Sequence, residues 1–159
     1  MREILFRGKR IDNGEWIAGF YNEVRHHDDN SHTHPFIMIP EKCVDNQQNL
    51  DFWAEVAPQT VGQFTGLTDK NGKRIFEGDL LNGFEYPFYR SEDNVHNYFA
   101  EIVWFDENCA FGLVTHKYPT SKVRGISAGN TDYIEEYDFS EWEVIGNIHD
   151  NPELLGGDS

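Results

Sequence analysis

The segment TVGQFTGLTDKNGKRIFEGDLLNG, Thr60 to Gly83, decides the fold, because its central DKNG can be read as a metal loop, a phosphate cradle or a reversal of the chain. A calcium loop starting at Asp69 needs Gly at its sixth position and a bidentate Glu at its twelfth. Arg74 and Leu80 stand there instead. A phosphate loop needs GxxxxGK followed by Ser or Thr. The interval from Gly66 to Gly72 is one residue too long, and Lys73 is followed by Arg74. A β-turn fits: the Asp69 carboxylate can accept from backbone amides ahead of it, Asn71 tolerates the turn, and Gly72 supplies a left-handed position. VGQFTGLT and KRIFEGDLL then become the two arms of a hairpin.

The same device recurs on either side. EILFRGKRIDNGEWIAGFY is two β-like runs joined at Asn13-Gly14, a dipeptide that accepts the positive φ of a tight hairpin. YFAEIVWFDENCAFGLVTH pairs Phe99–Phe105 with Ala110–His116 across DENC. A last strand is expected at Trp142–Ile148, followed by a short helical turn in which Asn151 caps, Pro152 takes the first position and Glu153 lies in the first turn. NLDFWAEVAP, Asn49 to Pro58, is read as a strand. Residues 22–35 and 117–140 have no clear period and read as irregular. Aromatic residues make up 14% of the chain, a strand-rich signature. The expectation is an all-β protein.

At 159 residues the chain fits one domain, or two packed β subdomains at about 1–58 and 59–150. Two cysteines, Cys43 and Cys109, are too few for a disulfide framework, and MREILFRGKR lacks the apolar core of a signal peptide, so a reducing cytoplasm is expected. No apolar run approaches the roughly 18 residues of a membrane span. Acidic residues outnumber basic ones 28 to 13, a formal charge of −15. Such a surface repels a phosphate backbone, which argues against nucleic acid as a partner.

REILFRGKRIDNGEWIAG, VAPQTVGQFTGLTDKNGKRIFEGDLL and EWEVIGNIHDNPELL, in that order and spanning nearly the whole chain, resemble the YopX family, encoded largely by bacteriophages and prophages. The resemblance implies a barrel-containing all-β fold, with the hairpins rolled into one or two small barrels, and expression in the bacterial cytoplasm. It carries no catalytic residues over. Within the shared blocks, Gly78 marks a place where a strand bends or bulges, and Asp79 just after it can bond nearby amides to turn a barrel corner. Thr60, Gln63 and Thr65 read as the solvent side of a half-buried strand. Asn147 reads as a turn residue pairing with backbone.

Two constellations remain as candidate sites. His26, His27, His32 and His34, with Asp28 and Asp29 among them, offer imidazole and carboxylate suited to zinc, and His32-x-His34 on extended backbone puts two rings on one side. No outer shell can be named for them, so no resident cofactor is expected, and a metal-dependent hydrolase on this loop, using zinc or another divalent transition metal, is the alternative to a non-enzymatic role. Phe84, Tyr86, Phe88 and Tyr89 in GFEYPFY form an aromatic cluster suited to contact with another chain. The pairs Glu135-Glu136 and Asp28-Asp29 put neighbouring acids on opposite sides of a strand and make no catalytic dyad. The leading expectation is therefore a self-associating interaction module that binds a host or phage protein, with an acidic DNA-mimicking decoy as a further alternative.

Overall fold

The computed structural model describes residues 3–25, 33–39, 52–84, 97–117, 131–133 and 139–155. Among them all regular structure is strand or single 3-10 turns, and the chain divides into two units, residues 1–64 and 65–159. The all-β expectation holds.

In the first unit, β1 (Phe6–Lys9) folds back on β2 (Trp16–Arg25), which pairs with β3 (Thr33–Met38), which pairs with β4 (Trp53–Glu55); β1 also pairs with the start of β5 (Gly62–Thr68). All these pairings are antiparallel. The β1–β2 reversal closes through Gly14 N to Arg10 O at 3.0 Å, with the Asn13 carboxamide accepting from Glu15 N at 2.9 Å. Leu5, Ile37, Val56 and Phe64 are the buried apolar anchors of this unit among the described residues.

In the second unit, β5 continues into a turn and β6 (Arg74–Phe76), and the chain then enters a separate antiparallel sheet. Its strands are β7 (Asp79–Phe84), β8 (Asn97–Phe105), β9 (Ala110–Lys117), β10 (Thr131–Tyr133) and β11 (Glu143–Asn147), in the order β10-β9-β8-β7-β11. Alternate residues of these strands point to one side, so Leu81, Ala100, Ile102, Phe111, Leu113 and Val144 converge on a core closed by Ile75, Phe139 and Trp142. Gly83 is required by that closure. A Cβ there would stand 2.2 Å from the Trp142 ring, so only glycine lets the indole lie on the sheet.

The DKNG turn does more than reverse the chain. Asp69 is 5% exposed, and its Oδ1 accepts from Asn71 N at 2.8 Å and Lys73 N at 2.9 Å. Its Oδ2 accepts from Val144 N at 3.0 Å, 75 residues away. Lys70 N donates to Trp142 O at 2.8 Å, and the Lys70 ammonium pairs with Glu143. The turn therefore occupies the outward Val144 amide of β11 and the Trp142 carbonyl just before it, which blunts the start of an exposed sheet edge. Burial pushes the Asp69 carboxyl pKa up, but the amides of Val144, Lys73 and Asn71, helped by the Lys73 charge, outweigh it and hold the group below the ordinary carboxylate value.

Between β6 and β7 the chain changes sheets within two residues. Gly78 takes φ +78°, where a side chain is disfavoured, and this aims its N–H at Ile102 O (2.8 Å) and its carbonyl at Ile148 N (2.9 Å). Asp79, 1% exposed, accepts from Phe76 N at 2.8 Å across the same turn. The last reversal is built on Asn147, whose Oδ1 accepts from the amides of both His149 and Asp150 at 3.0 Å.

Several expectations are corrected in detail. Neither strand order closes on itself among the described residues, so the hairpins form open sheets with edges and not small barrels. KRIFEGDLL is not one hairpin arm: it splits at Glu77-Gly78 into β6 and β7, because the positive φ of Gly78 ends one strand and starts another. Thr60 and Thr65 do not face solvent. Thr60 ends a 3-10 turn started by Pro58, is 6% exposed, accepts from Lys9 N and donates to Ala57 O. Thr65, 7% exposed, donates to Ile75 O at 2.9 Å, since a short hydroxyl that reaches a backbone partner can be buried without penalty. The irregular stretch 22–35 is strand at both ends, through Arg25 and from Thr33. The C-terminal helical turn is a single 3-10 turn, Pro152–Leu154, and Asn151 does not cap it; its Oδ1 accepts from Asn147 N at 3.3 Å instead.

Replacing Asp69 with Ala should destabilise the second unit by roughly 2–4 kcal/mol in urea titrations, because charge-assisted bonds to backbone are lost and amides are left unsatisfied. A folded-state value below the unfolded one means that Asp69 stabilises above about pH 4, and that this contribution fades as pH falls through the folded value. Asp69→Asn should therefore be less stable at neutral pH and show a shallower loss of stability on acidification. Gly83→Ala should cost about 3 kcal/mol by overpacking, and a Trp142→Leu background should remove most of that increment.

Candidate functional site

The register of the first unit sorts its side chains onto two faces, because residues paired across antiparallel strands share a side and alternate along each strand. Tyr21 pairs with Ile37 and Glu23 with Pro35; Ile37 is fully buried and Pro35 is buried, so this side is closed over β3, while Tyr21 is half-buried and Glu23 exposed on β2. On the other side Phe20 pairs with Met38, Val24 with His34, and Met38 in turn with Trp53. There the aromatic rings are only partly covered: Phe20 is 47% and Trp53 38% exposed. Phe36 packs against Trp53 with centroids 5.5 Å apart, and Phe52 stacks on Trp53 at 5.7 Å. Farther along the same side the Arg7 guanidinium lies 4.9 Å over the Trp16 ring.

An ionisable pair sits on this face. His34 Nδ1 lies 2.6 Å from Glu55 Oε1, both side chains about a third exposed. The pair forms because Glu55 lies opposite Phe36, one step along the face from His34. On the closed side the Tyr21 hydroxyl donates to Glu23 at 2.7 Å, and its pKa is raised to about 12, first by burial and then by the carboxylate. Tyr21 is therefore a neutral structural donor at physiological pH, unsuited to proton transfer.

Of the expected metal ligands, His34 is placed on β3 with Glu55, while His26, His27 and His32 lie outside the described residues, as does Cys43. Among the described residues no group of three His, Cys, Asp or Glu side chains is arranged to hold a metal ion. Of the aromatic cluster, Phe84 is the last residue of β7, its backbone opposite Asn97, and Tyr86, Phe88 and Tyr89 lie outside the described residues. Cys109 is exposed at φ +50° in the β8–β9 turn, its thiol donating to Asp106 O at 3.6 Å. Asn13, Gly14, Asp69, Asn71, Gly72, Gly78, Asp79 and Asn147 all stand in reversals. The aromatic face of the first unit is what sequence reading missed. WIAGFYNEVR carries large apolar residues at both parities, so alternation assigns no outer side; the pairing with β3 does.

The open face offers apolar contact area, a cation stacked on an indole and one histidine–carboxylate pair, which suits recognition of another surface. A double-mutant cycle on His34 and Glu55 should give a coupling of about 0.5–1 kcal/mol, as for partly exposed ion pairs. The coupling should be larger near pH 5 than near pH 8, since imidazole changes charge roughly within that interval.

Comparison with known proteins gives three findings. The family model described as YopX protein matches residues 5–156. The crystal structure of protein EF1440 from Enterococcus faecalis aligns over 98% of this chain and 100% of its own, at 23% identity and a TM-score of 0.46. No curated protein matches.

Proposed function

The chain belongs to the YopX family, and from that premise we propose that it is a non-enzymatic interaction module, encoded by a bacteriophage or prophage and acting in the bacterial cytoplasm through self-association and contact with a host or phage protein. The observation that supports this is the half-open aromatic face of the first unit, where Phe20 and Trp53, 47% and 38% exposed, share one side of the sheet. Exposed aromatic rings held on a rigid sheet lose little side-chain entropy on contact and are favoured anchors in protein interfaces. Phe52 stacked on Trp53, and Phe36 tilted against it, restrict the indole's position, which limits that entropy further.

A formal charge of −15 sets the terms of association. Two copies repel at long range, so self-association through an apolar face strengthens as salt screens the charge. Light scattering across protein and salt concentration should show a dimer or larger species favoured by salt. Phe20→Glu with Trp53→Glu should return a monomer that keeps the far-ultraviolet circular dichroism of a β protein, because the buried anchors Leu5, Ile37 and Val56 are untouched. A strict monomer at all concentrations would remove self-association from the reading.

The distribution of charge favours a second reading, an acidic decoy for a DNA-binding protein. Residues 1–64 carry ten acidic and six basic side chains, whereas residues 65–159 carry eighteen and seven. Competition between the protein and duplex DNA for a basic DNA-binding protein of the host tests it. Loss of competition on neutralising exposed acids of the second unit, with competition intact in the Phe20 and Trp53 variant, would favour the decoy over the aromatic face.

A further inference from the structure

Three Asn-Gly dipeptides occur in the chain, Asn13-Gly14, Asn71-Gly72 and Asn82-Gly83. Asn-Gly is chemically the least protected setting for asparagine, since no side chain shields the glycine nitrogen from the neighbouring carboxamide. The fold treats the three differently. The Asn13 carboxamide is held at both ends, Nδ2 donating to Glu15 Oε2 at 3.0 Å and Oδ1 accepting from Glu15 N at 2.9 Å. Asn82 lies within β7, opposite Glu143 of β11 on one side and Phe99 of β8 on the other, and Gly83 is pinned beneath the Trp142 ring. Asn71 alone is exposed at a turn with a carboxamide that has no partner among the described residues, and the space around Gly72 is open.

We propose that Asn71-Gly72 is a self-modification site: a spontaneous deamidation that unfastens the Asp69 turn from β11. The deprotonated Gly72 nitrogen attacks Asn71 Cγ, a C–N bond forms, and the Cγ–Nδ2 bond breaks with loss of ammonia to give a succinimide. Water then opens the imide at either carbonyl, leaving aspartate or isoaspartate at position 71; water and base are the only co-reactants. The hydrogen bond from Gly72 N to Asp69 O, 2.9 Å, must open first, so the reaction reports local opening of the turn.

The consequence follows from where the extra backbone atom goes. Isoaspartate routes the chain through the side-chain carboxyl and lengthens it between Asn71 and Gly72. That is inside the loop whose ends are joined by Asp69 N to Lys73 O at 2.8 Å, and whose amides at Asn71 and Lys73 orient the Asp69 carboxylate. With those two donors displaced, Oδ2 loses its alignment on Val144 N, and the outer edge of β11 is uncovered.

The test is incubation of the folded, full-length protein at mildly alkaline pH, followed by peptide mapping and isoaspartyl methyltransferase labelling. The peptide containing Asn71 should convert several-fold faster than those containing Asn13 and Asn82, and isoaspartate-bearing protein should melt at a lower temperature than the starting material. Asn71→Asp adds the charge without the extra backbone atom, and it should melt close to the original protein. Asn71→Gln should abolish conversion at that peptide. Conversion first at Asn13 or Asn82 in the folded protein, no conversion at any of the three, or an Asn71→Asp variant as unstable as the isoaspartate form would each overturn the proposal.

Discussion

The carboxylate of Asp69 joins two levels of organisation in the second unit. Locally it accepts from Asn71 and Lys73 and so fixes the turn after β5; at long range it accepts from Val144 and fixes where β11 lies. Three backbone donors on one buried anion outweigh its desolvation and hold its pKa below the ordinary carboxylate value. The core of this unit depends on that placement, because β11 contributes Val144, and the segment before it brings Phe139 and Trp142 onto the sheet.

The neighbouring IFEGD turn works by a related principle with a different outcome. Asp69 reaches across the chain, whereas Asp79 reaches back three residues to Phe76, and the adjoining Gly78 uses its own amide and carbonyl to meet Ile102 and Ile148. Buried polar atoms satisfied by backbone lock register more sharply than apolar contact, since a slip of one residue would strand them. The second unit therefore has its strand order set by hydrogen-bonded carboxylates and its stability supplied by the apolar cluster they bring together. In the first unit one sheet face is closed over Ile37 and Val56, and the opposite face keeps its aromatic rings partly open. That asymmetry is the feature from which the interaction role is proposed.

What the sequence determined is the set of reversals and the strands between them. Asn13-Gly14 and Asp69 to Gly72 are legible because local chemistry decides them: a short side-chain acceptor and a residue free to take positive φ need no distant partner. The β8–β9 hairpin was readable from its two β-like runs, down to its strand limits within two residues, although its turn places Cys109 and not a glycine at positive φ. Tertiary structure alone decided the rest. Val144 as the partner of Asp69, the burial of Thr60 and Thr65, the split of KRIFEGDLL between two sheets and the outward side of β2 all depend on pairings between residues far apart in the chain. Nothing in a local pattern encodes them, because a hydroxyl, a glycine or an aromatic ring at a given spacing serves a buried or an open face equally well until the facing strand is in place.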